Sequence, residues 1–310
     1  MTVDVLIPVY KPGRKFSRLL AMLEKQEYPV RKIIVVNTEK SYWRDEGFSG
    51  IPNLEVHHIT KEEFDHGRTR NLLMSYSQAD IGVCMTDDAV PADEKLIGNL
   101  VKGFEQTGPG GETVIEVYAR QLADKDCELA ERHTRLFNYP EESRLKTWDD
   151  VGKLGIKAYF ASNVCCAYRR ELFLAQGGFV KRTIFNEDMI FAAGALKAGY
   201  GIYYAADARV IHSHNYSCLE QLHRNFDLGV SQAEYPEIFD SVPAEGEGIR
   251  LVKDTAAWLV RTGHVLAVPG LVAKSGCKYA GYRLGKAYKH LPKPAVLWLT
   301  MNKNYWRNDK

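Results

Sequence analysis

The sequence predicts an α/β fold, in which a mixed, mainly parallel sheet is flanked by helices and followed by a C-terminal helical extension. Short branched apolar runs alternate with segments of helical periodicity in the first half of the chain, which predicts the sheet. A change in charge predicts the extension. From residue 251 onward the chain has 11 Lys and Arg against 2 Asp and Glu, whereas the remainder has 30 against 37. We therefore expect one domain at 1–245 and a basic, aromatic-rich helical extension at 246–310.

The first half of the chain alternates between strand and helix signals. The opening run TVDVLIPVY predicts a buried strand, apolar residues from Phe16 to Leu23 recur at helical spacing, and KIIVVN predicts a second strand. This order implies a parallel pair of strands with a right-handed crossover. The elements predicted next are a strand LEVHHI, a helix GRTRNLLMSYSQ, a strand DIGVCMT and a helix from Leu96 to Phe104.

The second half predicts a mixed set of elements. TVIEVYA predicts a strand, and residues 122–156 give no clear assignment. Ligands of open α/β sheets bind at the carboxyl ends of the strands, so polar residues that follow strands are the candidates for function. The remaining predicted elements are an extended segment KAYFASNVCCAYRR, helices ELFLAQGGF and EDMIFAAGALKAG, a strand GIYYAADARVIHSH and three helices after residue 245.

Several classes of protein are excluded by composition. The six cysteines include no CxxC pair and no zinc-finger spacing, which favours reduced thiols and a cytoplasmic protein. The chain opens without a secretory signal pattern and lacks an uninterrupted run of about 18 apolar residues, so we expect neither export nor a membrane span. No recognition motif accompanies the basic tail, so we do not expect nucleic-acid binding.

Two adjacent aspartates, Asp87 and Asp88, follow the fourth predicted strand. Paired carboxylates at a strand end can bind Mg²⁺ or Mn²⁺, because these ions prefer oxygen ligands, and such an ion neutralises a diphosphate. The alternative is a polar loop that caps the next helix together with Asp93 and Glu94. Taken alone, the aspartate pair does not decide between the two.

The segment FDHGRTRN concentrates His66, Arg70 and Asn71 around Gly67. We expect a tight turn at Gly67, followed by a helix N-terminus that favours an anion. An arginine there can hold a phosphate or carboxylate with two N–H groups. The alternative is a set of surface arginines that pair with neighbouring acidic residues.

Two further polar clusters lie near the ends of predicted elements. In FNEDM, Glu187 and Asp188 occupy a predicted helix start, where acidic residues commonly complement the helix dipole. The functional interpretation is a general base for an acceptor hydroxyl. In VIHSHNYS, His212 and His214 share one face of a predicted strand and are candidates for a metal or phosphate ligand, whereas a lone histidine is more often structural.

In their order along the chain, these segments resemble the family 2 inverting glycosyltransferases, which have the GT-A fold. The opening β-helix-β unit, the CMTDDAVPADE segment and NEDM resemble that family's first elements, its metal-binding Asp-x-Asp region and its catalytic Glu-Asp motif. The resemblance covers roughly residues 3–230. Similarity to bacterial rhamnosyltransferases of cell-wall and O-antigen polysaccharide synthesis is carried by FDHGRTRN, YARQLA, ERHTRLFNYP, YFASNVCCAYRRELFLAQGGF and VIHSHNYS.

The resemblance implies a transferase with a nucleotide-sugar donor, expected to be dTDP-L-rhamnose, and a saccharide acceptor that is linked to lipid. It implies a divalent ion, Mg²⁺ or Mn²⁺, as cofactor. Asp188 would be the catalytic base, and Glu187 would support placement of the acceptor. Two alternatives stay open: a transferase that uses a UDP-hexose donor, and a non-catalytic sugar-nucleotide-binding or scaffolding module.

Positions in the donor site are implied by the same resemblance. Asp88 would bind the metal with Asp87 beside it, and His214 or His212 would contact the metal or the diphosphate. The residues implied to line the nucleotide pocket or to contact the diphosphate are Pro8, Val9, Tyr10, Asn37, Thr38, Glu39, His66, Arg70, Asn71 and Asp87.

The basic tail carries a separate prediction. Basic residues with apolar and aromatic neighbours suit docking on an anionic membrane surface, and a lipid-linked acceptor would place the protein on the inner face of the plasma membrane. The alternative is a helical bundle that packs on the catalytic domain and also provides a homodimer interface.

Overall fold

The computed structural model describes residues 1–48, 50–241 and 245–307, without the side chains of Glu245 and Glu247. The strands in these residues are β1 (Val3–Tyr10), β2 (Lys32–Thr38), β3 (Leu54–Ile59), β4 (Ile81–Met85), β5 (Val90–Pro91), β6 (Val114–Leu122), β7 (Arg144–Lys146), β8 (Cys165–Arg169) and β9 (Gly201–Ile211). The α-helices are α1 (Arg14–Leu23), α2 (His66–Tyr76), α3 (Leu96–Gly103), α4 (Leu129–Asn138), α5 (Val151–Leu154), α6 (Arg170–Ala175), α7 (Glu187–Lys197), α8 (Cys218–Glu234), α9 (Pro236–Phe239), α10 (Glu245–Arg261), α11 (Val268–Lys286) and α12 (Lys293–Leu299).

These strands form one mixed sheet in the order β3-β2-β1-β4-β8-β6-β9-β5, with β7 paired to β9. Strands β3, β2, β1 and β4 are all parallel to one another, and β6 is parallel to β9. Strand β8 is antiparallel to both β4 and β6. The carboxyl ends of β1, β2, β4 and β9 and the amino end of β8 therefore lie along one edge of the sheet, which we call the site edge. The predicted mixed sheet is confirmed.

Branched apolar side chains fill the centre of the sheet and the helix that covers it. Val5 and Ile7 in β1 and Ile33 in β2 are fully buried, and Phe16 and Leu20 bring the apolar face of α1 into the same cluster. Each such side chain contributes about 1.5–3 kcal/mol relative to exposure. This packing fixes the backbone that leads into the site edge.

One predicted element is much shorter than expected. The extended segment KAYFASNVCCAYRR forms a strand only at Cys165–Arg169, and Gly155–Ala158 is a 3₁₀ turn. The strand begins only after Asn163. The main-chain and side-chain N–H groups of Asn163 donate to Asp188 and Glu187 rather than to a neighbouring strand. Residues 122–156, which gave no clear assignment, contain α4, β7 and α5.

The chain divides into two compact units. Unit 1 consists of 1–122, 139–182 and 187–212 and contains the sheet, and unit 2 consists of 123–138, 183–186 and 213–310. In unit 2, α8 and α11 approach closely, because a Cβ on Gly281 would lie 2.1 Å from the Leu222 carbonyl oxygen. The predicted boundary at residue 245 adjoins 242–244, which lie outside the described residues, and stays a prediction. Every helix in the described ranges falls short of the length and apolarity needed to cross a bilayer.

Candidate active site

The ends of β1 and β4 meet at the site edge through Asp87. The Tyr10 N–H donates a hydrogen bond of 3.2 Å to Asp87 Oδ2. Burial, partly offset by that bond, and the charge of Asp88 raise the pKa of Asp87 to about 6. Of the other predicted residues in β1, Val9 belongs to the core and Pro8 is half-buried. The structure therefore brings the first predicted pocket segment to the predicted aspartate pair.

The end of β2 is shaped by a buried amide. Asn37 Nδ2 donates to the Glu39 carbonyl oxygen at 3.0 Å and contacts His58 Nδ1 at 3.1 Å. Glu39 has a φ of +67°, which is uncommon for a residue with a side chain, and its carboxylate accepts from the Lys61 N–H at 2.6 Å. Asn37 and the buried Thr38 thus support the turn, and their contacts with a nucleotide stay predictions.

An exposed aromatic pair beside this turn was not singled out from the sequence. The rings of Tyr10 and Tyr42 meet edge to face with centroids 5.5 Å apart, and Lys11 Nζ lies 4.7 Å from the Tyr42 centroid. Flat rings with a cation beside them suit a stacked base near a phosphate. The isolated SYW sequence gave no signal for this, because the pairing depends on how β1 and β2 lie side by side.

The expected helix is present as α2, but it begins at His66, before Gly67, so Gly67 does not form the expected turn. Asp65 caps the helix by accepting from the N–H groups of Gly67 and Arg68 at 2.9 and 3.0 Å. Gly67 lies in the first helical turn, where a Cβ would come 2.0 Å from the Val180 carbonyl oxygen. The glycine is required for close backbone approach rather than for a special φ.

Arg70 and Asn71 of this segment turn into the protein. Asn71 Nδ2 donates to the Phe179 carbonyl oxygen at 2.8 Å, and its Oδ1 accepts from the Phe179 N–H at 2.9 Å. Arg70 is buried rather than a surface arginine, and it lies against His66, whose carbonyl oxygen accepts from Arg70 Nη1 at 3.1 Å. Donor contacts by His66, Arg70 and Asn71 stay predictions.

A buried ion pair joins α2 to α7. Arg70 Nη1 lies 3.1 Å from Glu187 Oε1, and both side chains are less than a tenth exposed. Burial disfavours both charges, but their mutual attraction outweighs it, so the pKa of Arg70 is raised and that of Glu187 is lowered. Glu187 is thus held as a carboxylate.

The pKa of its neighbour Asp188 is shifted in the opposite direction. Burial raises the pKa of Asp188, and repulsion from the Glu187 carboxylate raises it further, to about 7. Asp188 Oδ2 accepts from the Asn163 N–H at 3.0 Å, and Oδ1 accepts from the Met189 N–H at 2.8 Å. When the pKa values of two adjacent carboxyls are shifted in opposite directions, the two groups can have different roles. Here Glu187 can remain charged while Asp188 accepts a proton.

Asn163 is the residue that the sequence analysis missed. Its side-chain Nδ2 donates to Glu187 Oε1 at 3.0 Å, so one residue bonds both members of the acidic pair. Tyr168 in β8 fixes the amide by donating to Asn163 Oδ1 at 2.8 Å. Asn163 precedes the amino end of β8, and only the antiparallel placement of that strand brings it to the site edge.

A third carboxyl lies in the sheet near this pair. Glu116 in β6 is paired with Tyr168 in β8, and it is fully buried. Burial raises the pKa of Glu116 to about 8 despite the attraction of Lys146. Burial therefore disfavours the charged form of Glu116 as it does that of Asp188.

Asp88 and His212 form a second polar pair at the site edge. Asp88 Oδ1 lies 3.5 Å from His212 Nε2, and His212 Nδ1 donates to Gln121 Oε1 at 3.0 Å. This bond leaves Nε2 as the acceptor nitrogen and fixes the ring, as is usual for metal-bound histidines. A carboxylate oxygen and an imidazole nitrogen fit Mn²⁺. His214 follows two residues later in unit 2, where its ring stacks on Tyr216 with centroids 5.0 Å apart.

Comparison with known proteins identifies the family. The model of glycosyl transferase family 2 matches residues 4–175, which is more than half of the chain. The chain belongs to glycosyltransferase family 2. It is 36% identical over 310 residues to the O-antigen chain rhamnosyltransferase RfbN of Salmonella typhimurium, covering 99% of this chain and 97% of that protein. It is 35% identical over 308 residues to WbaN of Salmonella anatum, also an O-antigen chain rhamnosyltransferase, covering 98% and 95%.

Solved structures show the same fold at low identity. The mannosyltransferase PcManGT from Pyrobaculum calidifontis, in complex with GDP-Man and Mn²⁺, matches 98% of this chain and 84% of its own with a TM-score of 0.55 and 19% identity. TarS of S. aureus, residues 1–349 in complex with UDP-GlcNAc, matches 94% and 92% with a TM-score of 0.53 and 15% identity. The predicted GT-A fold and family membership are confirmed, and the family 2 chain is a glycosyltransferase enzyme.

Proposed function

We propose that this family 2 enzyme transfers L-rhamnose from dTDP-L-rhamnose to a hydroxyl of a lipid-linked saccharide, with inversion at the anomeric carbon. The observation that carries the reaction type is the acidic pair of unit 1, in which Glu187 is held charged while the pKa of Asp188 is raised to about 7. A general base is most effective when its pKa lies near the working pH. The two rhamnosyltransferase relatives, similar over nearly the whole chain, support the sugar.

Asp188 accepts the proton of the acceptor hydroxyl in this proposal. As that O–H bond breaks, the acceptor oxygen forms a bond to the anomeric carbon, and the bond from that carbon to the diphosphate oxygen breaks with its electrons staying on dTDP. The N–H groups of Asn163 and Met189 orient the Asp188 carboxylate. Glu187 and Arg70 remain an ion pair and supply a fixed local field rather than a proton.

The donor diphosphate and its divalent ion belong to the Asp88 end of the site edge. We assign Asp88 and His212 as ligands on their geometry, and the ligand role that the family resemblance gives to His214 stays a prediction. A bound Mn²⁺ or Mg²⁺ supplies positive charge to the diphosphate. Asp87 supports this arrangement through its bond to the Tyr10 N–H.

The nucleotide lies over the ends of β1 and β2 in this proposal. Tyr10, with Pro8 and Val9 behind it in β1, and the turn formed by Asn37, Thr38 and Glu39 provide the walls. The exposed ring pair of Tyr10 and Tyr42 provides an aromatic surface for the base, and Lys11 a nearby positive charge.

A donor panel tests the proposal. The full chain is incubated with Mn²⁺ and, separately, dTDP-L-rhamnose, dTDP-glucose, UDP-glucose, UDP-GlcNAc or GDP-mannose, and release of the nucleoside diphosphate is measured with a saccharide acceptor extracted in lipid-linked form. We expect the highest kcat/KM with dTDP-L-rhamnose. A preference for a UDP-hexose would overturn the donor assignment and favour the alternative transferase.

A lipid-linked acceptor also implies that the enzyme works at a membrane surface. We propose that unit 2 holds it on the cytoplasmic face of an anionic membrane, because unit 2 contains the part of the chain that is rich in Lys and Arg and poor in acids. Attraction of this kind weakens with salt, since exposed charges are screened beyond about 10 Å at 0.1 M ionic strength.

A further inference from the structure

Helices α10 and α11 of unit 2 are joined by a turn that exposes large apolar side chains. Val260 is 53% exposed, Val265 55%, Leu266 97% and Val272 58%. We call these four residues the hairpin tip. Single exposed apolar residues are ordinary on protein surfaces, but four within 13 positions, with one almost fully exposed, are a concentrated apolar feature.

The turn itself is held by regular hydrogen bonds. Gly263 has a φ of +79°, and its N–H donates to the Val260 carbonyl oxygen at 3.1 Å. The His264 N–H donates to the Leu259 carbonyl oxygen at 2.8 Å, which completes a common helix C-cap, and the Leu259 side chain is fully buried. Leu259 therefore points into unit 2 while Leu266 is held in solvent by a defined backbone.

Along the chain, the residues around the hairpin tip are predominantly basic, and the nearby acids Asp254 and Glu128 lie in ion pairs with Arg250 and Lys274. Residues 255–308 include nine Lys and Arg and no Asp or Glu. Lys253, Val260 and Arg261 are exposed and lie at helical spacing on α10. Basic side chains around exposed aliphatic ones match the two layers of an anionic bilayer, with phosphates outside and acyl chains within.

We propose that the hairpin tip inserts Val265 and Leu266 into the acyl boundary of an anionic bilayer, with Lys253 and Arg261 among the phosphate groups. The proposal rests on the proposed function, since a lipid-linked acceptor requires the enzyme to work at such a surface. An interface with a second copy of the chain is the competing occupant. It is disfavoured by charge, because the same basic surface would face itself.

Vesicle sedimentation of the full chain tests the insertion. Partition coefficients are measured with vesicles of phosphatidylethanolamine and phosphatidylglycerol, of which roughly one-quarter is the anionic phosphatidylglycerol. We expect Leu266→Asp to lower the partition coefficient roughly tenfold or more, because it removes one buried aliphatic side chain and adds a charge. The matched control is Leu174→Asp, an exposed leucine of α6 in unit 1, which should leave it unchanged.

Charge is tested separately from insertion. Lys253→Gln and Arg261→Gln should each lower the partition coefficient by about fivefold at low salt. Replacing phosphatidylglycerol with phosphatidylcholine should remove most of the binding of wild type. Equal partition of wild type and Leu266→Asp would overturn the proposal, and so would a Leu266-dependent dimer in light scattering without any vesicle effect.

Slow hydrolysis of dTDP-L-rhamnose in the absence of vesicles separates this proposal from the proposed function. Leu266→Asp should hydrolyse the donor as wild type does, because the residue lies outside the residues assigned to the donor. Loss of vesicle binding with unchanged hydrolysis supports the hairpin tip. Normal vesicle binding by wild type without turnover of this donor would instead leave the hairpin tip standing and contradict the donor assignment.

Discussion

Arg70 and Glu187 in unit 1 meet at 3.1 Å with almost no exposure, whereas Leu266 in unit 2 is 97% exposed within a stretch of chain that has positive charges and no acids. At the Arg70–Glu187 pair the groups that are costly to bury are charges, and the two charges compensate each other. At the hairpin tip the groups that are costly to expose are apolar side chains, and residues 255–308 of the chain around them contain no acid.

This difference predicts that substitutions at the two places have different consequences. Removing one member of a buried charged cluster leaves its partners uncompensated, so substitutions in unit 1 should change chemistry and stability together. Exposed residues contribute little to folding, so substitutions at the hairpin tip should change where the enzyme binds while leaving the folded state intact.

The largest effect is expected at the base. Asp188→Asn keeps the shape of the side chain but cannot accept a proton, so kcat should fall roughly 10²- to 10⁴-fold in a transfer assay. The matched control is Asp207→Asn, an exposed acid in β9 of the same unit, which should retain wild-type turnover. Turnover by folded Asp188→Asn within a few fold of wild type would contradict the base assignment.

Stability should depend on the buried ion pair. Arg70→Met leaves Glu187 buried without its cation, and the free energy of unfolding should fall by about 3–5 kcal/mol. Urea denaturation of the full chain measures it. Arg68→Met, an exposed arginine of the same helix, should change the value by no more than about 0.5 kcal/mol. Equal losses for the two variants would show that the Arg70 pair is not the stabilising contact.

Metal binding should depend on the Asp88 and His212 pair and on the residue behind it. Gln121→Ala removes the acceptor for His212 Nδ1, so Mn²⁺ affinity in calorimetric titration should fall roughly 10- to 100-fold. Asp88→Asn should weaken it at least as much. Glu94→Gln, an exposed acid after the same strand, is the control. Unchanged affinity in Asp88→Asn would remove this residue from the metal site.

A smaller effect is expected in the pH dependence. Because the pKa of Asp188 is raised to about 7, the base is protonated at lower pH, and kcat/KM should rise as pH rises through about 7. Glu187→Gln removes the repelling charge, so the acid limb should move to lower pH. The profile is compared only after near-UV circular dichroism shows that the variant is folded. An unmoved limb would mean that Asp188 does not set it.

The strands that lead to the site edge were predictable because each is a short apolar run whose signal is local. The acidic pair, the aspartates after β4 and the helix at His66 followed from position in that order. Asn163 and the burial of Arg70 could not be predicted, because both depend on β8 running antiparallel beside β4 and on α7 approaching α2. Likewise, periodicity predicted the helices of the tail, but only the folded hairpin shows that Leu266 faces solvent while Leu259 does not.

The anomeric configuration of the first product tests the central claim most directly. Wild type is given dTDP-L-rhamnose and acceptor, and the one-bond carbon–proton coupling at the anomeric position of the glycoside product is measured by NMR. A single displacement with Asp188 as base predicts the configuration opposite to that of the donor. Retention of the donor's configuration would exclude a single displacement from the face opposite the leaving group and would contradict the account.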